Sequence, residues 1–97
     1  MAKEAVIRKH AREALEGSGW VVWCPPKVRY HETDIFGIFD GIAWKDSDMR
    51  FIQWTSKSNM SARRKKIQKF FDENDVFCPC EVWGWDDKKK EFKKDYI

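Results

Sequence analysis

The sequence predicts an α/β domain whose elements follow one another as helix, strand, strand, strand, helix, strand. Three observations carry that expectation. Ile7 to Leu15 and Met60 to Phe71 repeat apolar residues at helical spacing. Runs rich in aromatic and β-branched residues lie between and after them at strand length. A chain of 97 residues has room for one domain and one modest core, and its six Trp and seven Phe supply large side chains to fill it.

In the first helix Ile7, Ala11, Ala14 and Leu15 recur between charged residues, and Gly17-Ser18-Gly19 ends the pattern after roughly four turns. Trp20-Val21-Val22-Trp23 follows as a short buried strand, stopped by Pro25-Pro26 because proline cannot donate to a ladder. Ile35 to Trp44 reads as a second strand interrupted by Gly37 and Gly41, and Met49 to Thr55 as a third. The polar turn Lys45-Asp46-Ser47-Asp48 makes the two a hairpin. The two-residue period of the third strand sets Phe51, Gln53 and Thr55 on one face and Ile52 and Trp54 on the other. The second helix starts near Ser58-Asn59, either of which caps it, and its stripe is Met60, Ile67, Phe70 and Phe71, with Arg63 on the same side. Val82 to Trp85 forms a fourth strand, and the lysine-rich end adds a short edge strand through Phe92 and Tyr96.

Composition narrows the classes. A charged fraction of 36% beside 42% hydrophobic residues argues for a folded protein with no membrane span, and no apolar run approaches the ~20 residues a transmembrane helix requires. The charged N-terminus lacks the apolar stretch of a secretory signal, so the expected location is the cytoplasm. Cys24, Cys78 and Cys80 are odd in number and lack paired zinc spacing, which reads as thiols rather than a disulfide framework or a structural zinc site. A net charge of +3 says little by itself, but its distribution is uneven. Lys57, Arg63, Arg64, Lys65, Lys66 and Lys69 fall in a stretch with no acid, and the acids collect in Asp72 to Asp75.

Gly37-Ile38-Phe39-Asp40-Gly41-Ile42-Ala43 resembles the G-x-x-D-hydrophobic-hydrophobic-A stretch of archaeal Holliday-junction resolvases, and the element order is similar to the core of the PD-(D/E)XK, or restriction-endonuclease-like, nucleases. Phe51-Ile52-Gln53-Trp54-Thr55 falls where those enzymes carry a hydrophobic pair followed by E-x-K. Gln53 replaces the acid, as in the Q-x-K of the methyl-directed restriction branch, and Thr55 replaces the lysine. The chain also resembles small phage-associated proteins with the pattern D-x-F-G-x-x-D, Q-x-T-S and N-x-x-x-R-x-x-K-I. The corresponding blocks here are Asp34 to Asp40, Gln53 to Ser56, and Asn59 through Arg63 to Lys66-Ile67. The resemblance spans about Arg29 to Trp85 and is more specific for fold than for activity.

The resemblance implies a mixed central sheet flanked by two helices, and a Mg²⁺- or Mn²⁺-dependent DNA endonuclease or resolvase-like phosphodiesterase. Asp40 takes the place of the main metal ligand, with Asp34, the Gln53 amide oxygen and the Trp54 carbonyl assisting. Six residues of extended chain would hold Asp34 and Asp40 too far apart, so Asp34 contributes only if Gly37 marks a bend. Thr55 cannot serve as a cation, and Lys57, two residues on with the same strand parity, or Lys66 or Arg63 from the facing helix, is expected in that role. Small nucleases of this kind commonly dimerise, and the aromatic edge from Val82 to Trp85 is the candidate homodimer interface.

Plainer readings stand beside these. Asp34 caps a turn next to Phe36-Gly37, Gln53 and Thr55 bond to each other or to neighbouring strands, and Arg63 and Lys66 belong to a solvated helix face. Asp40 in an aromatic strand is harder to explain that way, because burying a carboxylate is costly unless it is paired. His10 and His31 read as surface residues. Arg29, Asn59, Arg63, Arg64, Lys65, Lys66 and Lys69 are the candidate contacts to a nucleic-acid backbone, DNA first and RNA as the alternative, through release of counterions. Exposed members of the Trp set are suited to stacking on unpaired bases. Without catalysis, the same fold reads as a nucleic-acid-binding or accessory subunit, or as an interaction module of a mobile element.

Overall fold

The first apolar stripe folds as α1 (Glu4–Gly17), burying Ile7, Ala11 and Leu15 at four-residue intervals, while Ala14 faces solvent on the flank of that stripe. Gly19 closes the helix at φ 90°, a value open to glycine, and lets the Trp20 N–H donate to the Leu15 carbonyl at 3.0 Å. These coordinates come from a computed structural model that describes residues 4–26 and 34–97. Arg29 and His31 lie outside the described residues.

The chain continues through β1 (Val21–Trp23), β2 (Gly41–Lys45) and β3 (Asp48–Ser56). A 3₁₀ turn (Lys57–Asn59), α2 (Met60–Asn74), β4 (Cys80–Asp86) and β5 (Glu91–Tyr96) complete it. The five strands form one sheet in the order β1-β2-β3-β4-β5. β1 with β2, β2 with β3 and β4 with β5 are antiparallel, and β3 with β4 is parallel. The parallel step requires a crossover, which α2 supplies. The result is a mixed α/β fold with a five-stranded mixed sheet and two helices.

Strand parity places the helices. Ala43, Ile52, Trp54, Trp83 and Trp85 pack with Ile7, Ala11 and Leu15 of α1. Phe39, Cys80 and Val82 pack with Met60, Ile67 and Phe71 of α2, with Phe51 against them. Consecutive residues of β3 and β4 thus enter different clusters, and the helices lie on opposite faces of the sheet. Neither helix is long and apolar enough to cross a membrane.

Four expectations are corrected. β1 is an exposed edge strand rather than a buried one, with Val21 70% and Trp23 54% exposed, because only Val22 of the three faces α1. The second strand begins at Gly41, since Ile35 to Phe39 form a tight loop in which Phe36 and Gly37 both take positive φ. Val82 to Trp85 is no edge: β4 lies between β3 and β5, and all four residues are buried, so this segment offers no dimer surface. Asn59 stands at the α2 N-cap without a side-chain cap bond, and neither it nor Ser58 fills the expected role. The 3₁₀ turn takes up the Met60 N–H through the Lys57 carbonyl, and the Asn59 amide donates instead to Ser56 Oγ at 3.0 Å.

Candidate functional site

The loop before β2 folds back on itself. The Gly37 N–H donates to the Asp34 carbonyl at 3.0 Å, and Ile35 and Phe39 exchange backbone bonds of 2.7 and 3.0 Å. Gly37 therefore does mark a bend, and the chain from Asp34 to Asp40 reverses instead of extending. The Asp40 N–H then donates to the Ile52 carbonyl at 2.9 Å, and pairing of β2 with β3 begins with Gly41 opposite Ile52.

Beyond Ile52, β3 has no strand on its β2 side. The Trp54 N–H points into that opening, and Asp40 meets it: Oδ2 accepts this N–H at 2.9 Å in a buried contact. A carboxylate thus stands where the next carbonyl of β2 would have been, and an otherwise orphaned donor is satisfied. The N–H and C=O of one strand residue lie along the same edge, so the Trp54 carbonyl faces the same opening. Gly41 leaves room for this arrangement, since a side chain there would run into the Trp54 ring and the Trp23 carbonyl.

Gln53 lies one peptide away and, by parity with Phe51, faces α2 together with Thr55. It is 1% exposed, and its Oε1 is the only buried side-chain nitrogen or oxygen among the described residues that has no hydrogen-bond partner. Pairing of Gln53 through that oxygen to Thr55 or a neighbouring strand is accordingly not what the structure contains. Thr55 is also buried.

The cations divide. β3 ends at Ser56, so its parity does not extend to Lys57, whose Nζ instead reaches Asp86 Oδ2 at 3.3 Å. Arg64 pairs with Asp95 at 2.9 Å on the β5 side, and Lys69 pairs with Glu73 at 3.7 Å. Arg63 lies on the other flank of α2, which it shares with Asn59, Lys66 and Phe70 by helical spacing. That flank faces the Asp34–Asp40 loop, because the Phe36 ring packs on Phe70 at 5.7 Å and on Phe51 at 6.3 Å. α2 runs antiparallel to β3, and Arg63 is about 10 Å up its axis from Phe70, roughly three strand residues, which brings it level with Gln53 to Thr55. Arg63, Lys65 and Lys66 carry no ion pair with a described residue, and Lys65 points away from the sheet.

Sequence reasoning passed over Glu81. It is 5% exposed on the α1 side, where it accepts the Trp83 indole N–H at 3.0 Å and pairs with Arg50 at 3.2 Å. Arg50 also holds Asp48 at 2.9 Å and lies over the Trp20 ring. The hydrogen bonds to Asp48, and then those to Glu81, keep this guanidinium more firmly charged than an ordinary arginine. A lone acid before an apolar run was the available signal, and the network is structural. His10, expected at the surface, is half-buried, its ring stacked on Trp85 at 4.3 Å.

Among the described residues no group of three or more His, Cys, Asp or Glu is placed to hold a metal ion. The oxygens at the opening are the Asp40 carboxylate and the Trp54 carbonyl, and the Gln53 amide belongs to the adjoining residue on the α2 face. Fold and site together define a mixed-sheet α/β protein with a carboxylate at the point where its central strand loses a neighbour. Comparisons with protein-family models, with curated proteins and with solved structures give no match to this chain.

Proposed function

We propose that this chain is a metal-assisted phosphodiesterase acting on DNA, built on a restriction-endonuclease-like core. The observation that carries the reading is the buried Gln53 Oε1 without a hydrogen-bond partner, on the residue next to Trp54, whose N–H the Asp40 carboxylate accepts. Burying an amide oxygen without a partner costs about 1–3 kcal/mol, and a ligand that accepts oxygen donors removes that cost.

The donor set fits Mg²⁺ or Mn²⁺ as a weak site. Mg²⁺ is commonly held by one or two carboxylates, keeps several waters and draws further oxygens from substrate phosphates. Asp40, Gln53 and the Trp54 carbonyl would hold it, with Asp34 brought back towards them by the loop. When bound, such an ion supplies an acidified water and positive charge against the phosphoryl oxygens. The protein's own part is orientation. The Trp54 N–H fixes the Asp40 carboxylate, and Arg63, level with Gln53 to Thr55, places a guanidinium towards a phosphate on the α2 side. Lys66 extends that cationic flank. Arg63 rather than Lys57 is the candidate for the missing lysine's role, since Lys57 is engaged by Asp86.

A second reading is a nuclease-fold domain that binds nucleic acid without cleaving it. Thr55 in the lysine position and the Lys57–Asp86 pair favour it. The test is incubation of the purified protein with branched, duplex and single-stranded DNA in Mg²⁺ or Mn²⁺, alongside Asp40→Ala. Metal-dependent cleavage that disappears in the variant is expected. Cleavage that persists in Asp40→Ala excludes the assigned site. Absence of cleavage, together with binding that weakens steeply with salt and in Arg63→Ala, establishes the second reading.

A further inference from the structure

α2 packs over β3 and β4, and neither described helix covers the same face of β1 and β2. Because Val22 and Ala43 face α1, their neighbours Val21, Trp23, Ile42 and Trp44 face the other way. Strand register aligns them into two rows, Val21 beside Trp44 beside Met49, and Trp23 beside Ile42 beside Phe51. Trp23, Trp44 and Met49 are each about half exposed. The Trp44 indole N–H donates to the Asp46 carbonyl at 2.8 Å, so its polar edge is met and its ring is held in place. A contiguous aromatic and aliphatic surface on a small protein marks a contact site. The Phe36 ring touches both Phe51 and Phe70, which sets the upper row level with Phe70 of α2. Met49, two strand residues or about 7 Å below Phe51, is then level with Asn74, four helix residues beyond Phe70. Acids collect at this end: Asp46 in the β2–β3 turn, and Asp72, Glu73 and Asp75 where α2 stops, all exposed. Asp46, Asp72 and Asp75 carry no ion pair with a described residue.

We infer that this face receives an amphipathic helix of a partner protein, its apolar stripe on Trp23, Trp44 and Met49 and a lysine- or arginine-bearing flank against Asp46 and the end of α2. Shape selects a helix. Neighbouring strands lie about 4.8 Å apart, so the midline of β1 and β2 is about 10 Å from that of β3 and β4, over which α2 runs. That is the axial separation of packed helices. β2 has five residues, about 17 Å, and three turns of helix span about 16 Å. Charge selects the basic flank and sets other occupants aside. A nucleic-acid strand or an anionic lipid surface would bring its phosphates to the carboxylates of Asp46, Asp72 and Asp75. A second copy of this chain fits poorly on two grounds. The apolar stripes of α1 and α2 are already turned to their own sheet, so neither helix offers one to this face. Two such faces meet without collision of the helices only when each α2 lies beside the free β1 edge of the other copy. The strands of the two copies then run the same way, and Asp46 and the acidic helix end of one copy meet those of the other.

The inference goes beyond the proposed function and does not depend on it. The probe is a fluorescein-labelled peptide of about 18 residues, with leucine at helical spacing along one stripe and lysine elsewhere. Its controls are the same composition scrambled, and a striped peptide of leucine and glutamate. Anisotropy follows each peptide against wild type, Trp23→Ala, Trp44→Ala and the double variant Asp46→Asn/Asp75→Asn. Both tryptophans are more than half exposed, and both aspartates sit at positive φ, 54° and 51°, which asparagine accepts. All the variants are therefore expected to fold, and circular dichroism checks this. Wild type is expected to prefer the striped lysine peptide over either control, and each tryptophan variant to bind it about ten-fold more weakly. The asparagine pair is expected to weaken it about three-fold at low ionic strength and to match wild type in about 1 M salt. The inference is overturned by a wild type without that preference, by tryptophan variants that bind the peptide as wild type does, or by an asparagine pair unchanged at low ionic strength. A wild-type dimer in sedimentation that Trp23→Ala converts to monomer also overturns it, in favour of a second copy. Binding of an oligothymidylate that is lost in the tryptophan variants does so in favour of nucleic acid.

Discussion

Asp40 Oδ2 receives the Trp54 backbone N–H at 2.9 Å, and a side chain thereby continues a ladder that its own strand has left. The same contact has a structural share and an electrostatic one, and substitutions separate them. Asp40→Asn keeps an acceptor at that place, whereas Asp40→Ala leaves the Trp54 N–H buried and unmet, at a cost of about 1–3 kcal/mol. Urea denaturation is expected to rank wild type and Asn close together and Ala well below. Both variants are expected to lack metal-dependent cleavage, because neither retains the charge.

Gln53 lies in a shell with no partner for its oxygen. Gln53→Met, close in volume and without the polar head, is expected to raise stability by about 1 kcal/mol and to abolish any stabilisation by Mn²⁺. Gln53→Glu is expected to do the reverse: a lower melting temperature in EDTA than wild type, and a larger rise on adding Mn²⁺. Thermal melts of all three proteins with and without the ion check this. Equal Mn²⁺ responses would remove Gln53 from the donor set.

Gly84 lies under the start of α2. A methyl group there would run into the Met60 side chain and meet Lys57 Cα at 3.0 Å. The Met60 side chain has rotamers to yield, but the Lys57 backbone has few. Gly84→Ala is expected to cost about 1–3 kcal/mol as overpacking, measured by chemical denaturation. The turn that carries Lys57 shifts with it.

Asp86 ends β4 and is held below the ordinary carboxyl value of 3.8 by the Lys89 N–H first, then by the Lys57 side chain and the Lys88 N–H. A carboxyl group with a lower value folded than unfolded stabilises the fold above the unfolded value. That contribution is lost as pH falls through the folded one. Asp86→Asn is therefore expected to melt below wild type at neutral pH and to converge with it as pH falls past the ordinary carboxyl value and through the lowered folded one. Melting temperature against pH, compared between the two proteins, is the measurement.

Cys80 is buried, and burial pushes its thiol up to about 12, with Cys78 and Glu81 adding to the effect. Thiolate is the reactive form. Cys80 is expected to resist alkylation at pH 8 until the protein is unfolded, which mass spectrometry of the labelled peptides reads directly.

Both helices, the β2–β3 hairpin and the face shared by Phe51, Gln53 and Thr55 were legible in the order of residues, since helical and strand periods are local properties. So was the edge strand through Phe92 and Tyr96. Less was legible where neighbours decide. Trp20 to Trp23 has the apolar content of a buried strand, yet neither described helix covers the outer side of β1, and that depends on how far α2 extends. Val82 to Trp85 resembled an edge until β5 paired with it. Lys57 matched the parity of β3 only as long as the strand continued, and Asp86, 29 residues away, claimed its charge.

The sequence by itself determined which segments coil and which extend, which side chains share a strand face, and that Asp40, Gln53 and Thr55 are the polar exceptions in apolar surroundings. Only the tertiary structure decided that Asp40 reaches the Trp54 peptide, that Gln53 is left without a partner, and that Trp23 and Trp44 stand uncovered. The reason is physical. Periodicity is written within a few residues, whereas burial and hydrogen-bond satisfaction belong to pairs brought together by strand pairing across 14 or more positions.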